Sequence, residues 1–220
     1  MYLMLKKVQN RELIEAQITL FVAIGLQFLA AKISTSLLPG AHYTIIIIEL
    51  VLAIFIGLLV TTRKVRTRII DRTVTVIFLA ILSLANIVAL VAVLSALVVD
   101  GSITDGKQLL ASAVVIFFTN IIVFSLWYWE IDSPGLSGKK WSRHNRDFQF
   151  TQQDKASEYP NWTPEFVDYL YLSITNALNF APADTRPITR QAKYLMATQA
   201  VVSVFTLALV IARSVSILGA

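Results

Sequence analysis

Five apolar runs, at about residues 13–34, 43–61, 74–99, 107–129 and 192–218, each approach or exceed the roughly 20 residues that a helix needs to cross the hydrocarbon core of a bilayer. Lipid offers no water to backbone N–H and C=O groups, so a spanning segment must be a helix or a strand of a closed barrel. Runs this long, without strict alternation, are helices. Composition agrees: 56% of the 220 residues are hydrophobic and 15% charged, and the mean hydropathy is +0.66, a balance that no soluble surface supports. The expected fold is therefore an all-α integral membrane protein with about five transmembrane helices, plus a short re-entrant or interfacial helix before the last span. The chain contains no cysteine, which excludes disulfides, thiolate metal sites and cysteine nucleophiles. Lys6, Lys7 and Arg11 precede the first run much as in a signal peptide. That run is too long and has no convincing small-x-small cleavage site, so it reads as a retained span.

Lysine and arginine near span ends stay on the cytoplasmic side. With five spans, one side of the membrane holds the N-terminus, the loop 61–73 (TTRKVRTRIIDRT) and the segment 130–193, and that side carries all but Lys32, Lys107 and Arg213 of the 19 basic residues. The expected topology is that of an inner-membrane protein of a bacterial cell, integral to the plasma membrane, with the N-terminus and loops 61–73 and 130–190 cytoplasmic and the C-terminus outside. The basic run 63–72 reads first as a topogenic stop signal and second as a contact for anionic lipid. It does not point to nucleic acid.

Three parts follow: a four-helix transmembrane part over 1–130, an interfacial loop over 131–163, and a last part over 164–220. The middle part mixes turn formers, both charges and aromatics, which suits an ordered loop at the interface. Trp127, Tyr128 and Trp129 are expected to form an aromatic belt at the headgroup level, with Trp141 and Trp162 nearby.

In the last part, Thr163-Pro164-Glu165 supplies a cap, a residue pre-set for the first helical turn and a negative charge for the positive helix end. A helix from Pro164 to about Leu178 would be roughly 22 Å long, short of the roughly 30 Å core. It can enter the core but not cross it. Its apolar positions Phe166, Val167, Leu170, Tyr171 and Ile174 recur at helical spacing, while Asp168, Ser173, Thr175, Asn176 and Asn179 make much of the remainder polar. The irregular stretch Phe180-Ala181-Pro182-Ala183 would be tolerated at membrane depth only where protein buries it or water reaches it. An amphipathic helix lying flat at the interface is the alternative.

Residues 170–187, LYLSITNALNFAPADTRP, resemble the pore segment of potassium channels, in which a pore helix runs through a Ser/Thr-rich end into TVGYGD and a later proline. Aligned without a gap, Asn179-Phe180-Ala181-Pro182-Ala183-Asp184 stands at the filter, Pro187 at the later proline, and 192–217 at the inner helix. The resemblance implies an oligomeric pore module. The same stretch is also similar to a segment of small, uncharacterised bacterial membrane proteins, which implies a family and no activity. The filter is degenerate, because Ala181 and Ala183 replace both glycines and Pro182 fixes its own backbone, so a carbonyl ladder selective for potassium is not expected. Its place on the basic side of the membrane departs from the potassium-channel pattern as well.

Glu49, alone in the apolar run YTIIIIELVLAIF, is the clearest ionisable group inside a span, and such groups are candidates for function. Gln27, Asn86 and Asn120 suit hydrogen bonds between helices. Ala197, Ala200, Ser203 and Thr206 give the last span a small-residue face for close helix packing. Glu130, Asp132, His144, Asp147 and Asp154 offer acid, base or ligand chemistry, yet their spacing matches no metal or nucleophile motif. No enzyme, cofactor or metal site is expected. The functional expectation is a homo-oligomeric, weakly selective pathway for an inorganic cation, lined by Thr175, Asn176, Asn179, Phe180, Ala181, Pro182, Ala183 and Asp184, with Glu49 as a further site. The alternative is a non-conducting membrane interaction protein that docks a partner or lipid through loop 130–190.

Overall fold

The computed structural model describes residues 68–95, 106–132, 146–179 and 184–218, with helical positions scattered over 14–29. In order these form α1 (Arg68–Ser95), α2 (Gly106–Asp132), β1 (Phe148–Phe150), a short turn α3 (Thr151–Asp154), α4 (Phe166–Asn179), β2 (Thr185–Pro187) and α5 (Arg190–Leu218). The regular structure of the described residues is thus helical apart from one two-stranded ribbon. Among the described residues, three stretches are long and apolar enough to cross a membrane: Arg72–Ser95, Leu110–Asp132 and Arg190–Ala212. They correspond to the last three expected spans. The run 43–61, with Glu49, lies outside the described residues, as does much of 13–34.

Within α1, Thr73-Val74-Thr75-Val76-Ile77 is a β-branched run that would favour a strand in water. In lipid the helix wins, because it satisfies every backbone group within the segment. The helix α2 stops at Asp132, just before Ser133-Pro134, where the proline disfavours helical geometry in the residue ahead of it. At the start of α5, Thr189 caps the helix by accepting the Ala192 N–H on its hydroxyl (3.2 Å), and its carbonyl accepts the Lys193 N–H (3.1 Å).

The helix α4 begins two residues after the expected Pro164. Glu165 is its cap: the Glu165 N–H donates to Asp168 Oδ2 (2.7 Å) and the Asp168 N–H to the Glu165 carbonyl (3.0 Å). A carboxylate reaching back from the third helical position fixes the first turn there.

The ribbon pairs Phe148 with Pro187, Gln149 with Arg186 and Phe150 with Thr185, antiparallel. Phe148 and Phe150 point inward and complete an aromatic core at one end of the bundle. Phe148 packs edge-on to Tyr128 (5.2 Å between centroids), Phe166 to Trp129 (5.3 Å) and Tyr169 to Phe150 (5.4 Å). Each such pair contributes about 0.5–1.5 kcal/mol beyond its buried area. Phe78, Leu79 and Leu82 of α1, Leu172 of α4, Ala192 and Met196 of α5, and Ile24 join the same cluster.

This core corrects the expected aromatic belt. Tyr128 and Trp129 are 0% exposed, because the ribbon and α4 fold back over the end of α2 and bury both rings inside the protein. Trp127 stays half-buried and its indole N–H donates to Ser83 Oγ (2.9 Å), joining α2 to α1. Ser83 keeps a second bond to the Leu79 carbonyl. Trp127→Phe should therefore cost only about 1 kcal/mol, read as a small fall in the thermal midpoint of the detergent-solubilised protein.

Candidate functional site

The polar residues of α4 divide by face. Tyr169, Leu172, Ser173, Asn176 and Ala177 are buried, whereas Val167, Tyr171 and Leu178 are exposed and Asn179 lies with them. The buried face runs along α2 from Asp132, which Tyr169 reaches, to Phe117 and Ile121, which share a cluster with Ala177.

Across that face, four side chains from three helices close a hydrogen-bonded network. The Tyr128 hydroxyl donates to Gln199 Oε1 (2.5 Å), which also accepts from Asn176 Nδ2 (2.8 Å). Gln199 Nε2 donates to the Ser173 carbonyl (3.0 Å) and to Ser173 Oγ (2.7 Å). Ser173 Oγ in turn donates to the Ile121 carbonyl (2.6 Å). Asn176 Nδ2 further bonds the Met196 carbonyl (3.0 Å). One turn deeper, Asn120 Nδ2 donates to Ser203 Oγ (2.9 Å) and approaches the Gln199 carbonyl (3.3 Å), so the interhelical role expected of Asn120 is met. The small-residue face of α5 is used in part: Ser203 and Thr206 are buried, while Ala197 is exposed and Ala200 half-buried.

A second node fastens the ribbon to the bundle. Asp132, at the last turn of α2, accepts the Asp147 and Phe148 N–H groups on Oδ1 and the Tyr169 hydroxyl on Oδ2 (2.7 Å). Asp147 accepts the Thr189 hydroxyl, and its carbonyl accepts the Ile188 N–H (2.8 Å). One buried carboxylate thereby ties α2, β1 and α4 together, and its neighbour adds the start of α5. Two of the carboxylates that offered acid or ligand chemistry in the sequence are engaged in holding the fold. At the mouth of α4, burial holds the Asp168 carboxyl above the usual carboxylate range; the Glu165 N–H opposes that shift and the Glu165 charge adds to it.

The expected pathway residues do not share one surface. Asn176 faces inward and is bonded as above. Thr175 is half-buried and donates to the Tyr171 and Leu172 carbonyls of its own helix (3.0 Å each). Asn179 and Asp184 are exposed. Phe180, Ala181, Pro182, Ala183 and Glu49 lie outside the described residues. Sequence reasoning missed Tyr128, Asp132 and Gln199 as network members; the first two are polar groups at the end of an apolar span, for which a fold-back of the next segment was the missing information, and Gln199 is an amide inside an apolar helix, a signal that could have found it. Comparison with protein-family models, with curated proteins and with solved structures returns no match.

Proposed function

We propose that the chain is a channel-like membrane protein in which α2, α4, the turn after it and α5 make up a pore module: outer helix, re-entrant helix, return turn and inner helix. The observation that carries this reading is the polar clamp on α4. Ser173 and Asn176 are fixed to α2 and α5, while Tyr169 at one end of the segment and Thr185 at the other are both tethered at the ribbon end. From the first tether, at Tyr169, the helix follows α2 as far as Asn179, roughly 16 Å at about 1.5 Å per residue. The step from Asn179 to Thr185 spans about six residues, enough to return roughly 20 Å when extended. A hairpin that enters and leaves on one side of the apolar layer needs water or protein around its tip; the exposed Asn179 ends the entering helix and the exposed Asp184 stands beside the ribbon, at the mouth. In a homo-oligomer the tips would meet at an axis and form a weakly selective cation path. With alanines and a proline where a potassium filter needs glycines, no potassium selectivity is proposed.

Cation flux into liposomes containing the pure protein tests this reading. Flux is expected, and Asp184→Asn should lower it by about threefold or more by removing a focusing charge at the mouth. Absence of flux under every ion gradient would discard conduction. One observation favours a second reading, a non-conducting protein that docks a partner or lipid through 130–190: the clamp turns Ser173 and Asn176 toward α2 and α5 of their own chain rather than toward a path. Silent liposomes would favour it.

A further inference from the structure

We propose that the ribbon end of the bundle is a binding face for anionic phospholipid headgroups, built by Arg186, Arg190 and Lys193. This inference rests on the chain spanning a bilayer and is independent of conduction. The three apolar stretches all stop at this end, at Arg72, Asp132 and Arg190, which places the headgroup layer level with the ribbon.

Within β2 the side chains alternate, Thr185 buried and Arg186 exposed. Arg190 and Lys193 stand three residues apart on the first turns of α5, both exposed, and so share a face. Among the described residues none of the three makes an ion pair or side-chain hydrogen bond. Of the carboxylates beside the ribbon, Asp132 accepts the Tyr169 hydroxyl and two backbone N–H groups and Asp147 accepts the Thr189 hydroxyl, and neither makes an ion pair with these cations among the described residues. Asp184, exposed two residues before Arg186, offsets one charge and leaves a net positive surface.

The apolar neighbours of these cations identify the partner as lipid. Tyr194 is 73% and Ile188 44% exposed, costly beside water but at home where a tyrosine ring and an aliphatic side chain meet the acyl boundary while arginine and lysine reach the phosphates. A soluble polyanion would match the charges and leave Ile188 and Tyr194 in water. Charge complementarity with a negatively charged leaflet is worth about a fivefold gain in binding per basic residue near the surface, so about a hundredfold for three.

The test uses the full chain in mixed micelles containing equal phosphatidylglycerol and phosphatidylcholine, with the retained lipids quantified by native mass spectrometry. The wild type is expected to retain phosphatidylglycerol preferentially, the R186Q/R190Q/K193Q variant to lose that preference by roughly a hundredfold, and the charge-preserving R186K/R190K/K193R variant to keep it. Equal retention of the two lipids by the wild type would overturn the proposal. So would an unchanged preference in the glutamine variant, or its loss in the charge-preserving one. Millimolar inorganic phosphate should leave the preference intact; full competition would assign the site to free phosphate and overturn the lipid claim. Flux measured on the same preparations reports on conduction alone, so the two readings fail separately.

Discussion

Asp132→Ala is expected to destabilise the protein by roughly 3–5 kcal/mol, the largest effect of any single substitution in the described residues. The carboxylate accepts three hydrogen bonds at a site with no solvent exposure, and its removal takes that acceptor from the Asp147 and Phe148 N–H groups and from the Tyr169 hydroxyl. Each donor deprived in this way costs about 1–3 kcal/mol, and partial relaxation keeps the sum below the simple total. The loss should be local before it is global. With the tie to β1 gone, residues 146–163 are expected to become sensitive to protease at temperatures where α2 and α5 remain helical. Asp132→Asn retains one carbonyl oxygen and should cost about 1–2 kcal/mol, with little change in cleavage. Thermal unfolding in detergent and limited proteolysis measure both effects. An alanine variant within about 1 kcal/mol of the wild type would mean that the aromatic core alone holds the ribbon in place.

That latch also marks the limit of what the sequence discloses. The three described spans are legible because a long apolar run in lipid admits few folds, and α4 is legible from Pro164, Glu165 and the helical spacing of Phe166, Leu170 and Ile174. The identity of the buried partners is not legible. Trp127, Tyr128 and Trp129 look alike as a membrane belt, and only the return of Phe148 and Phe150 over the end of α2 separates the half-exposed Trp127 from its two buried neighbours. The ribbon itself is three residues on each strand, too short to leave a periodic signal. Asp132 and Asp147 read as free carboxylates because their partners are backbone N–H groups and hydroxyls that no motif announces. Asn120 is legible because an amide inside an apolar helix must find a partner in a neighbouring helix; Gln199 carries the same signal, although it is not among the residues singled out from the sequence.

Gln199→Leu should be the second most damaging change, at about 2–4 kcal/mol, and it reaches the candidate site directly. Among the described residues, Gln199 is the one side chain that bonds both Ser173 and Asn176 of α4 while also accepting from Tyr128 of α2. Leucine nearly matches its volume, so the cost isolates the hydrogen bonds from the packing. Those bonds are worth about 0.6 kcal/mol each on average between membrane helices and up to about 1.7, and four are lost. Two neighbours keep some satisfaction: Asn176 still reaches the Met196 carbonyl and Ser173 the Ile121 carbonyl. The Tyr128 hydroxyl loses its only acceptor among the described residues. Tyr128→Phe removes that donor and one acceptor of the weaker 3.3 Å bond from Asn176, so it should cost only about 1 kcal/mol. Added to Gln199→Leu it should be nearly free, a coupling of about 1 kcal/mol in a double-mutant cycle. Unfolding in mixed micelles gives the energies, and the rate of amide hydrogen exchange across 166–179 gives the location. If α4 is held by the clamp, its amides should exchange faster in Gln199→Leu while those of α1 do not; uniform acceleration would place the damage in the bundle as a whole, and no acceleration would show that Tyr169, Leu172 and Ala177 hold the helix by packing alone.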